Sequence, residues 1–235
     1  MSHNNHKVNK IKRVTVEKRG LHPSIVKMII FDLDGTLVDS MGDFAGVAEA
    51  VMHKYFGIDR QEARALYKKT SGLPFQFQLK KIVGTHPVLA EAAAEFEANK
   101  LHNASSRSFY YDVIRTLPLL KQYGYKTSVS SNNHEANVRA VIAPHLEYFD
   151  LVLGYRDGFL KGRDHFDFIK QEFNLEPDEM VFVGDSLNDF KKAHEYGMPF
   201  VARLGTFSSQ EFDALNMPLF KINNFFDLIH LLQGV

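Results

Sequence analysis

The sequence contains no cysteine, and that absence removes disulfide scaffolding, thiolate nucleophiles and zinc–thiolate centres together. It has no net charge either. Its 28 Lys and Arg match 28 Asp and Glu over 235 residues, so no basic field covers the whole chain as a nucleic-acid coat would require. No apolar run approaches the roughly 20 residues that a bilayer-spanning helix needs. The polar, basic start has no apolar stretch of the signal-peptide kind, which predicts a soluble protein of the cytoplasm. Internal repeats and low-complexity tracts are absent as well. What is present is 45% apolar residues, enough for a packed core, in a chain long enough for one large domain or two small ones.

The neutral total hides an asymmetry. Residues 1–27 hold seven Lys and Arg against the single acid Glu17, which leaves the rest of the chain with six excess acids. No aromatic residue interrupts this basic head, so it offers bases nothing to stack on. It reads as a solvated extension over residues 1–25, with room for a short strand at Val14 and Val16. A nucleic-acid or membrane partner is not expected.

The first strong signal is Val26 to Leu33, a nearly unbroken apolar run suited to a strand buried on both faces of a parallel sheet. It stops at the turn Asp34-Gly35-Thr36. From about 41 to 111 the spacing is helical without a strand: helices are predicted over Asp43–Phe56, Asp59–Lys69 with Asp59 as N-cap, Pro74–Val83 and Pro87–Lys100. Asp39 is expected to cap the first of them. Beyond residue 112 strands and helices alternate. Strands are predicted at Tyr125–Ser130, Phe149–Leu153, Met180–Val183, Phe200–Ala202 and Leu219–Ile222. Helices are predicted at Val113–Tyr123, His134–Ile142, Asp164–Phe173, Asp189–Tyr196 and Phe225–Leu232. This alternation predicts an α/β fold, a Rossmann-like doubly wound parallel sheet formed by residues 26–40 and 112–235, with residues 41–111 as an inserted helical cap. Two tethers, near Ser40 and Tyr111, would let the cap close over a site at the strand ends.

In an open parallel sheet, ligands bind where the strands end. Following each strand to its end collects Asp32 and Asp34, Ser131 and Asn132, and Gly184 and Asp185; Asp189 follows one helical turn later, and Lys161 lies on the loop after the strand ending at Leu153. Several carboxylates, one ammonium and a hydroxyl suit a phosphate group and a divalent cation. Hard oxygen ligands with open positions favour Mg²⁺.

These segments carry a resemblance. FDLDGTLVDS (Phe31 to Ser40), SVSSNN with Ser131, Lys161, and VGDSLND (Val183 to Asp189) resemble, in order, the four motifs of the haloacid dehalogenase superfamily in its phosphatase form. Lys161 precedes Asp185 by 24 residues, a spacing similar to the family's. The helical insert, DSMGDF and GYKTSVSSNN resemble the phosphoglycolate-phosphatase-like branch. The resemblance implies hydrolysis of a small-molecule phosphate ester, with Asp32 as nucleophile and Asp34 as acid–base partner. It implies Mg²⁺ held by Asp32, Asp185 and the backbone carbonyl of Asp34, and phosphate bound by Ser131, Asn132 and Lys161. Asp189 would support Lys161 or a water on the metal. One departure stands out: the family usually has Lys-Pro where this chain has Lys161-Gly162.

Other readings share the fold. A phosphomutase similar to beta-phosphoglucomutase would carry a His ten residues after the second Asp, where this chain has Phe44, and a residue other than Thr36 after the glycine. A dehalogenase would lack Asp34, and a phosphonate hydrolase would need a cap lysine such as Lys54, Lys68 or Lys69 as a Schiff base. A non-catalytic binding protein would have no need of the full set of acids. On the cap, Arg60, Arg64, Lys68, Lys69, Lys80 and Lys81 form either a solvated helix face or a grip on an acidic substrate, and Ser71–Phe75 is the expected substrate loop.

Overall fold

A computed structural model describes residues 21–102 and 108–234, so the basic head and its short strand lie outside the described residues. The first strand, β1 (Met28–Phe31), is buried along its whole length. Its side chains alternate between two cores: Ile29 and Phe31 pack into one, Met28 and Ile30 into the other. That is why the run has no polar alternation. β4 (Met180–Gly184) beside it divides in the same way, with Val181 and Val183 on one face and Met180 and Phe182 on the other.

The sheet has six strands in the order β3-β2-β1-β4-β5-β6, every pairing parallel. The remaining strands are β2 (Lys126–His134), β3 (Leu151–Tyr155), β5 (Phe200–Arg203) and β6 (Phe220–Ile222). Helices α5 (Tyr111–Gln122), α6 (Glu135–Ile142) and α10 (Phe225–Gln233) cover one face through Leu117, Val138 and Leu228. Helices α7 (Arg163–Phe173), α8 (Leu187–Tyr196) and the short α9 (Ser209–Asp213) cover the other through Phe166, Phe190 and Phe212. The chain order reverses about β1, so the end of β1 is the switch point where such sheets bind ligands.

Between β1 and β2 stand four helices, α1 (Met41–Phe56), α2 (Arg60–Thr70), α3 (Phe75–Val83) and α4 (Leu89–His102). They close on a hydrophobic cluster of their own, separate from the two sheet cores, built around Phe44, Met52, Tyr67, Phe75 and Phe96. Phe75 and Phe96 stack with ring centroids 3.8 Å apart. The two tethers of this helical cap are bonded to each other: Val38 bridges Phe109 in antiparallel fashion, and Tyr110 N–H donates to the Leu37 carbonyl at 3.0 Å.

Several boundaries differ from expectation. Asp39 does not cap α1: Ser40 occupies the N-cap position, and Asp39 is exposed and accepts a 3.3 Å hydrogen bond from the Tyr110 hydroxyl. Asp59 does cap α2, accepting from the N–H groups of Gln61 and Glu62. β2 runs on to His134 instead of stopping at Ser130, because its last residues still pair with β3 through a register shift. The helix after β4 starts two residues early, at Leu187, because Ser186 caps it by accepting from Asp189 N–H. The unexpected α9 is nucleated by a reciprocal box between Ser208 and Glu211.

Candidate active site

The site begins where β1 ends. Asp32, itself buried, donates its backbone N–H to the Val183 carbonyl, which prolongs the ladder by one bond. The chain then turns sharply, with Gly35 N–H on the Val38 carbonyl at 2.8 Å. Gly35 takes φ +78°, and a Cβ there would meet Asp185 Oδ2 at 2.1 Å. Only glycine satisfies both demands. This turn carries Asp32 and Asp34 to the same cleft although they are two residues apart.

Lys161 reaches the cleft from the loop before α7. Its Nζ lies 2.7 Å from Asp32 Oδ1 and 2.6 Å from Asp189 Oδ1, and all three side chains are buried. Gly162 behind it takes φ +117°, outside proline's fixed range, which explains the departure from Lys-Pro. Asp185 is buried at the end of β4 and accepts a hydrogen bond from the Thr206 hydroxyl. Asp34 is satisfied at both oxygens: the Ser40 hydroxyl donates to Oδ1 at 2.7 Å, and Asn133 Nδ2 donates to Oδ2 at 2.5 Å.

Ser131 is buried and lines the cleft, and its Oγ accepts from Asn133 N–H at 3.1 Å. Its neighbour Ser130 sits behind the strand, 2.9 Å from His165 Nδ1. Burial, reinforced by the Lys161 charge, pushes His165 down to about 3, so it stays neutral there. Asn132 also lines the cleft, but its side chain is committed to the cap, with Nδ2 donating to the Gly72 carbonyl at 2.9 Å. Lys192 Nζ donates to the same carbonyl at 2.8 Å, and Asn188 Nδ2 donates to the Ser71 carbonyl. Burial and the nearby Lys161 push the Lys192 ammonium down to about 8. Three core side chains thus hold the cap loop down. Gly72, at φ +81°, lets it lie that close, since a Cβ would be 2.5 Å from Ser186 Oγ.

The basic residues of the cap divide differently. Arg60 and Arg64 both pair with Glu49, Lys68 pairs with Glu211, and Lys80 and Lys81 are exposed, as a solvated face requires. The cap cation at the cleft is Lys100, with its Nζ 2.5 Å from Asn133 Oδ1. Sequence reasoning missed Lys100, Asn133, Ser40 and Thr206. Asn133 had a signal, since it stands two residues after Ser131 on one strand and so shares its side. Lys100 had none, being one lysine in an Ala- and Glu-rich helix.

The electrostatics are unbalanced. Three buried carboxylates, Asp32, Asp185 and Asp189, can each bring an oxygen within 4.8 Å of the others, around one ammonium. Burial pushes the Asp32 carboxyl up to about 7, with the Asp189 and Asp34 charges adding to the rise and Lys161 resisting it. Burial and the charges of Asp32 and Asp189 hold Asp185 well above the usual carboxylate range. Burial works against the Lys161 ammonium too, but Asp189 and Asp32 outweigh it and raise it, so it remains a cation. Three carboxylates to one ammonium in a buried pocket, each carboxylate with an oxygen to offer, fit a hard divalent cation.

The chain has similar proteins in sequence and in fold. Residues 29–203 match the family model described as haloacid dehalogenase-like hydrolase. The chain belongs to the haloacid dehalogenase-like hydrolase family. This hydrolase is 28% identical over 185 residues to a phosphoglycolate phosphatase of Vibrio vulnificus (strain YJ016), an alignment that covers 73% of the chain and 81% of that protein. It is 26% identical over 223 residues to phosphoglycolate phosphatase 1 of Pseudomonas aeruginosa, covering 86% and 78%. Its fold superposes on the crystal structure of a predicted phosphatase from Clostridium acetobutylicum with a TM-score of 0.77 at 21% identity, covering 89% of the chain and 99% of that one. The expected fold, a parallel α/β sheet with a helical insertion, is the observed one. The chain is an enzyme of phosphatase type, similar to the phosphoglycolate-phosphatase-like branch. No helix among the described residues is long and apolar enough to cross a membrane.

Proposed function

We propose that this hydrolase is a Mg²⁺-dependent phosphatase that releases phosphate from a small phosphorylated metabolite through an aspartyl-phosphate on Asp32. The observation that carries the reading is the pair Asp32 and Asp34 in one cleft, the first ion-paired to a buried lysine and the second hydrogen-bonded at both oxygens. Asp32 Oδ attacks phosphorus, and the bond from phosphorus to the alcohol oxygen breaks. Asp34 gives its proton to that leaving oxygen. It then takes a proton from the water that attacks the aspartyl-phosphate, which frees phosphate and restores Asp32. Lys161, Ser131 and the backbone N–H groups near Asn132 hold the phosphoryl oxygens. Asp189 keeps Lys161 in place through their 2.6 Å pair. Asp32, Asp185 and the Asp34 backbone carbonyl would hold Mg²⁺, which when bound offsets the repulsion between the carboxylates and the anionic phosphate.

We take residues 26–40 and 112–235 as the catalytic unit and 41–111 as its cap, acting in the cytoplasm. By likeness to the relatives' names, phosphoglycolate is the first substrate to try. Phosphate release is measured from a panel of phosphorylated metabolites, with Mg²⁺ or with EDTA, for the wild type and Asp32→Asn. Mg²⁺-dependent release that disappears in Asp32→Asn is the expected result. A folded wild type that releases phosphate from none of them would sink the reading.

A further inference from the structure

Asp34 is held by two donors from different parts of the fold. The Ser40 hydroxyl, on the first tether, donates to Oδ1 at 2.7 Å, and Asn133 Nδ2, near the end of β2, donates to Oδ2 at 2.5 Å. A hydroxyl can turn and become an acceptor, whereas the Asn133 amide is not free to turn. Its Oδ1 accepts from the Lys100 ammonium at 2.5 Å. An ammonium only donates and a carboxylate only accepts, so the amide fits between them one way round. Lys100 is itself steadied by Glu97 Oε2 at 3.3 Å and by the Phe44 ring, whose centroid lies 4.7 Å from Nζ. The end of β2 is shaped for this arrangement. Its pairing with β3 shifts register between Ser130 and His134. Gly154 on β3 leaves room for the shifted end, since a Cβ there would stand 2.8 Å from the Asn133 carbonyl oxygen and 2.3 Å from Glu135 Cα. The Asn133 N–H donates to Ser131 Oγ at 3.1 Å, so its backbone is anchored as well.

We propose that Asn133 is a positioning residue for proton transfer: its amide, oriented by Lys100, fixes the plane of the Asp34 carboxyl so that the proton is aimed at the leaving oxygen. This rests on the phosphatase reading above. A carboxyl turns easily about its Cβ–Cγ bond, and a general acid works only when its proton points at the atom that receives it. Ser40 alone would let the plane tilt about a single hydrogen bond. A second donor that cannot reverse removes that freedom. Asn133 therefore matters most to the step in which the ester bond breaks with a proton, and least where the leaving group needs none.

The test compares ethyl phosphate, whose alkoxide leaves only with a proton, and para-nitrophenyl phosphate, whose phenolate leaves without one, on the Mg²⁺-loaded enzyme. Should phosphate come only from esters of the metabolite panel, the best of them and its sulfur-linked counterpart, whose thiolate leaves unprotonated, take their places. The reading is the ratio of the two kcat/KM values, which reports the first transfer and not the later hydrolysis of the aspartyl-phosphate. In Asn133→Leu, kcat/KM should fall about tenfold further on the alkyl ester than on the aryl ester, a share of the roughly 10²–10⁴-fold that acid–base catalysis supplies. Asn133→Asp keeps the shape and the acceptor for Lys100 but sets a carboxylate against Asp34. It should shift the ratio at least as far, and it carries the test if the leucine variant does not fold. Lys100→Met should shift the ratio the same way by less, and no further once Asn133→Leu is present. Falls of equal size on both esters in the Asn133 variants would overturn the proposal, leaving Asn133 as a strut between strand and cap. Additive shifts in the double variant would overturn the orienting role of Lys100. A folded wild type that hydrolyses none of these esters would sink the phosphatase reading and this assignment with it, whereas an active wild type with unshifted variant ratios sinks the assignment alone.

Discussion

Arg203 and Lys161 are both buried cations among carboxylates, and their surroundings differ in one respect. Arg203, at the end of β5, meets a single acid. Its Nη1 and Nη2 lie 2.9 and 3.1 Å from the two oxygens of Asp112, and the Phe225 N–H donates to the same carboxylate at 2.7 Å. The guanidinium also lies over the Tyr110 ring, 4.0 Å from its centroid. Burial works against Asp112, but Arg203 and the Phe225 N–H outweigh it and hold its carboxyl below the usual range. Lys161 is asked to serve two acids with a third close by, and there the Asp32 and Asp185 carboxyls rise instead of falling. One cation for one carboxylate makes a strut; one cation for three makes a pocket that waits for more positive charge. The lesson is that burial alone does not make a functional site, whereas a mismatch of charge does.

The comparison can be broken in several ways. The largest expected effect is on Asp32→Asn, which should lower phosphate release by more than about 10³-fold while leaving the fold intact by circular dichroism. The same kind of change at the strut should do the reverse. Arg203→Met leaves the half-buried Asp112 without its partner and should cost about 2 kcal/mol, a drop in melting temperature of about 4–8 °C, while kcat of the folded enzyme stays within about twofold. Equal stability in urea would show that Arg203 carries no such weight.

A third test uses pH. Asp112 is held down in the fold, so its contribution is present above the ordinary carboxylate range and is lost as the pH falls through it. Asp32 is raised from 3.8 to about 7, so the fold gives up stability as the pH rises between those values. The melting temperature of the metal-free protein should carry a falling component between about pH 4 and about 7 that Asp32→Asn lacks. Saturating Mg²⁺, worth about 2.7 kcal/mol at 100 times its Kd, should stabilise the protein more at pH 8 than at pH 5. A Mg²⁺ shift that is the same at both pH values would contradict this picture. The smallest effect belongs to Asp185→Asn. Removing one surplus carboxylate should stabilise the metal-free protein by about 1 kcal/mol and abolish the Mg²⁺ shift, both readable by calorimetry.

Much of this was legible in the residues. The run from Val26 to Leu33 announced a strand buried on both faces, because its alternate residues feed different cores. Reading each strand to its end then collected Asp32, Asp34, Ser131, Asn132, Lys161 and Asp185 on the sheet side of the cleft, since a parallel sheet brings those ends together. What escaped was set by longer-range contact. Asn132 and Asn133 are identical in type, yet one faces the cap loop and the other Asp34. Asp39 has the chemistry of a cap, but Ser40 stands at the helix start. Lys100 is buried among side chains from distant parts of the chain, Phe44 on another helix and Asn133 on β2. The α9 helix is marked in the sequence by the Ser208 and Glu211 spacing alone, since five residues are too few to show a helical period.

The paired tethers at Val38 and Phe109 have a consequence for how such an enzyme diversifies. Because the chain leaves and re-enters the sheet through neighbouring, hydrogen-bonded tethers, the inserted segment is a loop whose ends are already joined. Its length and content can change at little entropic cost to the sheet, since doubling a closed loop costs only about 0.6 kcal/mol. The reactive floor can then stay constant while the roof is rewritten, and a new selectivity can be acquired by altering one helix without disturbing the chemistry beneath it.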